Sequence, residues 1–194
     1  MARHKKVSDQ DALLAAINLF WQNGYHNVGT REIEAQTGIT RFTLQTSYGG
    51  KKALGLKALD AYLDRTDRHL LAPLATADLE TLARWFDSPT IPQGFEGSVQ
   101  SGCFMVNTIT ALGGQDADVP PRTARYYDML YTAFGGAIHG AAKAGDLRMV
   151  VDLHQCTALA VASAVSLQVA MAAGGPHADH LRTAAAQMIR SWAD

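Results

Sequence analysis

Apolar residues recur at spacings of three and four along most of the chain, which is the period of amphipathic helices. The first such run begins at Asp9 and ends at Asn23, and its apolar face consists of Leu13, Ala16, Ile17 and Phe20. Alternation with a period of two, which marks half-buried strands, does not stand out anywhere. The pattern therefore predicts an all-α fold.

Glycine, proline and capping residues divide this pattern into about nine helices. Residues 88–101 are rich in Pro, Gly and Ser and are predicted to form a mobile loop. The predicted helices run over residues 9–23, 30–36, 41–47, 51–71, 78–86, 102–114, 120–145, 149–173 and 177–193.

The second and third predicted helices are short and are separated by one glycine turn. Gly38 can adopt a left-handed conformation and reverse the chain, and Ile39 then fills the corner. Thr40 is a suitable N-cap for the next helix, in which Leu44 points inward. Two short helices joined in this way form a helix-turn-helix, whose second helix enters the major groove of DNA.

The residues around this motif resemble the amino-terminal domain of TetR-family transcriptional regulators. The resemblance covers about the first quarter of the chain and is carried by Leu13, Ala16, Phe20, Gly24, Tyr25, Ile33, Gly38, Ile39, Leu44, Tyr48, Lys51 and Leu54. A looser resemblance to the regulatory halves of one group of TetR-like proteins begins at the phrase GCFMVNTITALGG. The resemblance implies a DNA-binding domain at 1–50, with a basic arm at 1–8, and a helical regulatory and dimerisation domain at 51–194.

The distribution of charge agrees with this division. Residues 1–57 hold eight Lys/Arg and four Asp/Glu, whereas residues 58–194 hold nine and fourteen, so a net charge of +4 is followed by one of −5. This excess can supply phosphate contacts but would not identify a nucleic-acid-binding domain by itself.

Candidate DNA contacts lie on and around the second helix of the motif. Arg41 can pair with guanine and Gln45 with adenine, while Tyr48 and Lys51 are placed to contact phosphates. The alternative for these side chains is a solvated helix face. The predicted DNA-binding residues are Thr30, Arg41, Phe42, Thr43, Gln45, Thr46, Tyr48 and Lys51.

Aromatic and polar residues of the second domain supply candidates for a small-molecule pocket, because such pockets are mostly apolar with a few placed polar groups. Packing in the core is the alternative for each of them. The predicted ligand-binding residues are Trp85, Phe104, Asn107, Tyr127, Tyr131 and Phe134. Cys103 lies at the start of a predicted helix and is a candidate redox sensor with a lowered thiol pKa; the alternative is a buried, inert thiol.

Other classes of protein find little support in the sequence. No nucleophile elbow, phosphate loop or dinucleotide fingerprint is present, so neither catalysis nor a cofactor is expected. The two cysteines are distant and lack metal-ligand spacing, which favours a reducing cytoplasm and no metal site. Residues 156–175 have the length of a membrane span, yet their high Ala content and internal polar residues favour a buried helix.

These observations predict a cytoplasmic, homodimeric DNA-binding regulator, most simply a repressor released from its operator by a small molecule. As the resemblance implies, the operator is expected to be palindromic double-stranded DNA. The Ala-rich last two helices are expected to form the dimer face, because small residues allow helices to approach closely. Unusual residues at Glu34 and Gln45 leave an alternative open, namely a helical dimer that binds a small molecule or partner and has lost operator recognition. An enzyme built on a helical body is a second, weaker alternative.

Overall fold

The computed structural model describes residues 8–88, 102–148 and 152–193. Within these ranges there are nine α-helices and no strands, which confirms the all-α prediction. The helices are α1 (Asp9–Asn23), α2 (Thr30–Thr37), α3 (Arg41–Thr46), α4 (Lys51–Thr66), α5 (Leu79–Asp87), α6 (Phe104–Leu112), α7 (Val119–Ala144), α8 (Leu153–Ala173) and α9 (His177–Arg190).

Three predicted features fall largely outside the described residues. These are the basic arm before Ser8, the loop between Ser88 and Gly102, and residues 149–151 at the predicted start of the eighth helix.

The α4 region departs from the single long helix expected over residues 51–71. α-Helical hydrogen bonding ends at Thr66, and the chain continues through a π-helical turn at Asp67–Leu71 and a 3₁₀ turn at Ala72–Thr76. Pro73 accounts for the change, since it has no N–H to donate and its ring crowds the carbonyl four residues earlier. The chain therefore remains helical beyond the predicted end at residue 71, but with π-helical and then 3₁₀ hydrogen bonding in place of α-helical hydrogen bonding.

The amino-terminal helices pack around a small apolar core. Phe20 of α1, Ile33 of α2 and Leu44 of α3 are all buried, and α1 also packs along α4. Ser8 caps α1 by accepting a hydrogen bond from the backbone N–H of Asp11. α4 continues to the body of the protein, where it contacts α6.

The body is built around α7, which packs against α8 and the 3₁₀ turn, while α5 lies along α9. α8 is long and apolar enough to cross a membrane by length and composition, with 44% of its most apolar window buried in this structure. One such helix is weak evidence for a membrane, because the core helix of a soluble protein passes the same test.

Candidate DNA interface and cavity

The turn between α2 and α3 is held by local hydrogen bonds. Gly38 has φ of 72°, in the left-handed region, and its N–H donates to the carbonyl of Glu34 at 3.0 Å. The Thr37 hydroxyl donates to the Ile33 carbonyl at 2.6 Å and accepts from the N–H of Ile39 at 3.1 Å. These bonds satisfy backbone groups that the end of α2 would otherwise leave free, and they fix the direction in which α3 leaves the turn.

α3 is anchored by its cap and by one apolar side chain. Thr40 accepts a hydrogen bond from the N–H of Thr43 at 3.1 Å, and Leu44 is only 1% exposed. With Leu44 inward and Thr43 half-buried, the other side chains of this short helix face solvent. The exposed side chains include Arg41, Gln45, Thr46 and Phe42, the last of which is 77% exposed.

The hydroxyl residues of the predicted DNA interface have local partners. The hydroxyls of Thr40 and Thr43 lie 3.0 Å apart, and that of Thr46 donates to the carbonyl of Phe42 at 2.9 Å. Thr30, the first residue of α2, is half-buried. A threonine hydroxyl that donates to the backbone can still accept a hydrogen bond, so these residues remain predicted DNA contacts.

Tyr48 and Lys51 each lie against another side chain. The Lys51 ammonium is 4.6 Å from the centroid of the Tyr25 ring and 3.5 Å from the carbonyl oxygen of His26, and burial lowers its pKa. Tyr48 is half-buried with the Lys57 ammonium 5.3 Å from its ring centroid, and burial raises the pKa of its phenol. Both side chains are therefore held beside the first turn of α4, and both remain predicted phosphate contacts.

The first turns of α2 and α4 have no side-chain caps. Gly29 precedes α2 without a side-chain hydrogen bond, and Gly50, with φ of 97°, does the same for α4. Their leading N–H groups therefore have no side-chain acceptor, and the positive end of the helix dipole lies at these N–H groups and favours anions. Glu34, which replaces a small residue of the family pattern, is exposed.

Ion pairs link α4 to the body along its length. The Lys52 ammonium lies 2.9 Å from Asp116 and 2.8 Å from Asp118 in the segment before α7. Asp60 accepts two hydrogen bonds of 2.7 Å from the Arg122 guanidinium, which raise the pKa of that arginine. With the pair formed by Asp64 and Arg125, these contacts form what we call the α4 ion-pair row.

A cavity of about 310 Å³, counting its open mouth, lies between α4, α5, α7 and α8. We call it the Gln168 cavity. The described residues of its lining are uncharged. They are Tyr62, Thr66, Leu70, Leu71, Trp85, Cys103, Tyr126, Leu130 and Gln168.

Two polar atoms of this lining are buried without a hydrogen-bond partner among the described residues, the side-chain oxygen Oε1 of Gln168 and the indole Nε1 of Trp85. The Gln168 side chain belongs to a residue that is only 4% exposed. Buried polar groups are paired in the great majority of cases, so an unpaired acceptor and an unpaired donor around one cavity require an explanation.

Cys103 does not have the electrostatic environment predicted for it. Its thiol is buried and accepts a hydrogen bond from the Tyr62 hydroxyl at 3.2 Å. Burial raises the pKa of the thiol, so the expectation of a lowered pKa is wrong, because loss of water outweighs the nearby hydrogen bonds. Burial also raises the pKa values of Tyr62 and Tyr126 well above the ordinary value, so all three groups are neutral at physiological pH.

The predicted ligand-binding residues do not converge on this cavity. Trp85 lines it, and Phe134 is fully buried behind Trp85, with ring centroids 5.3 Å apart. Tyr127 and Tyr131 lie on the outer side of α7, 36% and 46% exposed.

The two predicted residues of α6 lie elsewhere. Asn107 is half-buried, and Phe104 lines a second depression between α1, α4 and α6, of about 350 Å³ counting its open mouth. Three polar residues that line the Gln168 cavity were not predicted as ligand contacts, namely Tyr62, Thr66 and Gln168.

Within the described ranges, no group of three or more His, Cys, Asp or Glu side chains is arranged so that it could hold a metal ion. His139 and His154 are close, with ring centroids 6.3 Å apart, but His139 already shares a hydrogen bond of 2.7 Å with the Gly135 carbonyl.

Comparison with known proteins identifies the helix-turn-helix. Residues 12–58 match the family described as bacterial regulatory proteins, tetR family. Over these residues the chain has the sequence pattern of the TetR family. It is 33% identical over 125 residues to the HTH-type transcriptional repressor ComR of Escherichia coli (strain K12), an alignment that covers 59% of the chain and 56% of ComR.

Solved structures share the fold over nearly the whole chain. A cysteine mutant of the TetR-family regulator CifR, in complex with 26-bp double-strand operator DNA, matches with a TM-score of 0.69 and 21% identity, covering 98% of this chain and 100% of that one. A protein from Saccharomonospora viridis in complex with choline matches with a TM-score of 0.77 and 22% identity, covering 95% and 97%. At these identities the similarity shows the fold alone.

Proposed function

We propose that the chain is a cytoplasmic, ligand-responsive DNA-binding transcriptional regulator, and specifically a homodimeric repressor that a small molecule releases from its operator. The observation that carries the proposal is the helix-turn-helix, in which Leu44 and the Gly38 turn hold α3 with its polar face outward. The match of residues 12–58 to the tetR family supports the same function, as does the similarity to the repressor ComR.

Binding to DNA would combine two kinds of contact. Arg41, Phe42 and Gln45 would face base edges in the major groove, where a guanidinium pairs with guanine and an aromatic ring packs on a thymine methyl. Tyr48, Lys51 and the uncapped N–H groups of α4 would contact phosphates and fix the register. CifR, which shares the fold, was solved on operator DNA.

A dimer would place two copies of α3 on successive major grooves, and it would require a palindromic operator. The exposed apolar residues of the last two helices support the proposed dimer face, since Leu159 and Val169 of α8 are 50% and 47% exposed and Leu181 of α9 is 36% exposed. Burial of such side chains against a second copy would remove apolar surface from water.

Release by a ligand would require a path from the body to α3, and the α4 ion-pair row supplies one. Arg122 of α7 donates two hydrogen bonds to Asp60 of α4, so a shift of α7 would move α4 with it. The effector must bind the released and DNA-bound conformations with different affinities, since otherwise it shifts neither population. The fold neighbour from Saccharomonospora viridis contains choline, a small molecule.

Selection from a random double-stranded DNA library tests this proposal and does not require a known operator. We expect enrichment of a palindromic sequence, with Arg41→Ala selecting a relaxed sequence at one position of each half-site. Arg68→Ala, which changes an exposed arginine of the π-helical turn, is the matched control and should select the same sequence as the wild type. Recovery of unenriched DNA by the wild type would contradict the proposal.

The alternative function, a helical binding module without operator recognition, rests on the unusual residues Glu34 and Gln45 and on the charge of the motif. Residues 8–57, the described part of the basic half, hold five Lys/Arg and four Asp/Glu, a net charge of +1, so three of the four units of net positive charge belong to the arm. Such a module would enrich no DNA sequence, and its dimer and its ligand binding would be unaffected by Arg41→Ala.

A further inference from the structure

The ring of Tyr25 lies where the amino-terminal helices meet α4. Gly24, with φ of 76°, ends α1 and donates its N–H to the Phe20 carbonyl, so the chain turns at the residue before Tyr25. The Tyr25 ring stacks on that of Phe20, with centroids 5.8 Å apart and planes inclined by 27°. Because Phe20 is only 1% exposed, the half-buried Tyr25 ring is anchored to the core on that side.

Gly55 of α4 gives this ring room. A Cβ on Gly55 would lie 3.2 and 3.3 Å from the Cε2 and Cδ2 atoms of Tyr25, closer than most real Cβ atoms approach a neighbour. The ring therefore lies directly against the backbone of α4, a close approach that glycine permits. Lys51 stands four residues before Gly55, and residues at that spacing share one face of a helix. The same ring thus contacts α4 at Gly55 and meets the Lys51 side chain one turn earlier.

The Lys51 side chain lies over this ring. Its ammonium is 4.6 Å from the ring centroid, within the range of a cation–π interaction. It is also 3.5 Å from the carbonyl oxygen of His26. An ammonium has more N–H donors than these two contacts use, and Lys51 is only half-buried. The ammonium therefore remains open to a phosphate on its solvent side.

A lysine that is held in place before binding contributes more to affinity than a free one. An unrestrained lysine side chain loses rotational freedom when it binds a phosphate, and a held one has already lost much of it. The neighbouring Lys52 is held too, but by Asp116 and Asp118 at 2.9 and 2.8 Å, which neutralise its charge. Lys51 is held by a ring and a carbonyl, neither of which cancels its charge.

We propose that Tyr25 is a positioning residue for DNA binding: its ring, packed on Gly55, holds the Lys51 ammonium at the first turn of α4 in the arrangement that contacts a DNA phosphate. This inference rests on the proposed function, in which Lys51 contacts phosphate. Tyr25 acts through Lys51, so replacing its ring should weaken DNA binding only while Lys51 is present.

A double-mutant cycle separates positioning from packing. Tyr25→Leu keeps an apolar side chain but removes the ring, and it should weaken DNA binding by about three- to tenfold per half-site, the range expected of a cation–π interaction. In a Lys51→Ala background the same substitution should weaken binding by less than about twofold, because no lysine remains to be positioned. Tyr25→Phe keeps the aromatic face and should retain the coupling to Lys51.

Lys57 supplies the matched control cycle. Its ammonium lies 5.3 Å from the ring of Tyr48 instead, so Lys57→Ala should show no coupling with Tyr25→Leu. Fluorescence anisotropy measures affinity on a selected operator and, at low salt, on a duplex of unrelated sequence. The second duplex is informative because phosphate contacts do not depend on sequence, so the cycle can be measured whether or not an operator is found.

Proton NMR of the wild-type protein without DNA is a second measurement. The methylene protons next to the Lys51 ammonium lie near the face of an aromatic ring, so they should resonate upfield of those of the exposed Lys143. The shift should persist in Tyr25→Phe and disappear in Tyr25→Leu. Thermal unfolding shows whether each variant is folded, and the wild-type shift tests the position of Lys51 even where a variant is not.

Several results would overturn the proposal. Equal weakening by Tyr25→Leu with and without Lys51 would show that the ring acts through packing alone. Wild-type affinity in Lys51→Ala would show that there is no phosphate contact to position. Lys51 protons that resonate with those of Lys143 would show that the ammonium does not stay on the ring. An enriched operator without coupling contradicts only the role of Tyr25, whereas coupling on unrelated DNA without any enriched operator contradicts the regulatory function.

Discussion

The Phe42→Ala variant tests whether apolar contact contributes to DNA affinity in addition to the electrostatic attraction of phosphates. Phe42 is 77% exposed near the start of α3, an unusual position for a phenylalanine. An aromatic side chain offers roughly 200 Å² of surface, so about 150 Å² of Phe42 is free to be buried on DNA. Burying half of that area at about 25 cal/mol per Å² contributes about 2 kcal/mol, or roughly 30-fold in affinity per recognition helix.

The same substitution should hardly change the stability of the fold. Because little of Phe42 is packed against the protein, we expect the free energy of unfolding to change by less than about 0.5 kcal/mol. The loss of affinity would then belong to the complex and not to the folded protein. The dependence of affinity on salt should also stay the same, because the number of neutralised phosphates does not change.

Fluorescence anisotropy on a selected operator, at several salt concentrations, measures both affinity and its salt dependence. Tyr127→Ala, which truncates an exposed aromatic residue of α7, is the matched control and should bind DNA like the wild type. Affinity of Phe42→Ala within twofold of the wild type would refute the apolar contact. An equal loss in Tyr127→Ala would show that the effect does not arise at α3.

Two further predictions concern stability. A Cβ at Gly136 would overlap the backbone carbonyl of Ala75, whereas one at Gly140 of the same helix would meet nothing within 4 Å. Gly136→Ala should therefore lower the free energy of unfolding by about 1–3 kcal/mol, and Gly140→Ala should raise it by about 0.5–1 kcal/mol. Equal denaturant midpoints of the two variants would contradict this difference. Hydrogen bonds from Arg190 at 2.9 and 3.0 Å lower the pKa of Glu80 from 4.5, so this pair stabilises the folded state above pH 4.5 and the benefit is lost as pH falls through the lowered pKa. The difference in melting temperature between the wild type and Arg190→Met should thus shrink below pH 4.5, and a difference that stays constant down to pH 3 would contradict the assignment.

The amino-terminal motif could be predicted almost residue by residue because its signals are local. α1 has the predicted bounds, Gly38 adopts the left-handed conformation, Thr40 caps α3 and Leu44 is buried. Each of these outcomes depends on a few neighbouring residues, through a backbone preference or a cap. The residues that carry the family resemblance lie in the same segment of the chain.

The cavity could not be predicted in the same way, because its lining comes from five separate parts of the chain. Tyr126 lines the cavity while its neighbour Tyr127 is exposed. Successive residues are offset by about 100° around a helix axis, so which of the two tyrosines faces the cavity depends on how α7 is oriented about its axis when it packs against α4 and α8. Gln168 was a detectable signal, since it is a polar residue within an Ala-rich apolar helix. Its unpaired oxygen becomes evident only once α8 packs beside Trp85.

The proposed regulation requires that this chain recognise a particular DNA sequence and that a small molecule release it. Both properties are measured together by the anisotropy of labelled DNA flanking the chain's own gene, with an excess of unlabelled unrelated DNA, before and after addition of a small-molecule library. We expect saturable binding that survives the competitor, weakens steeply with salt and is lost with at least one compound. Binding that the unrelated DNA removes completely would contradict the proposed function.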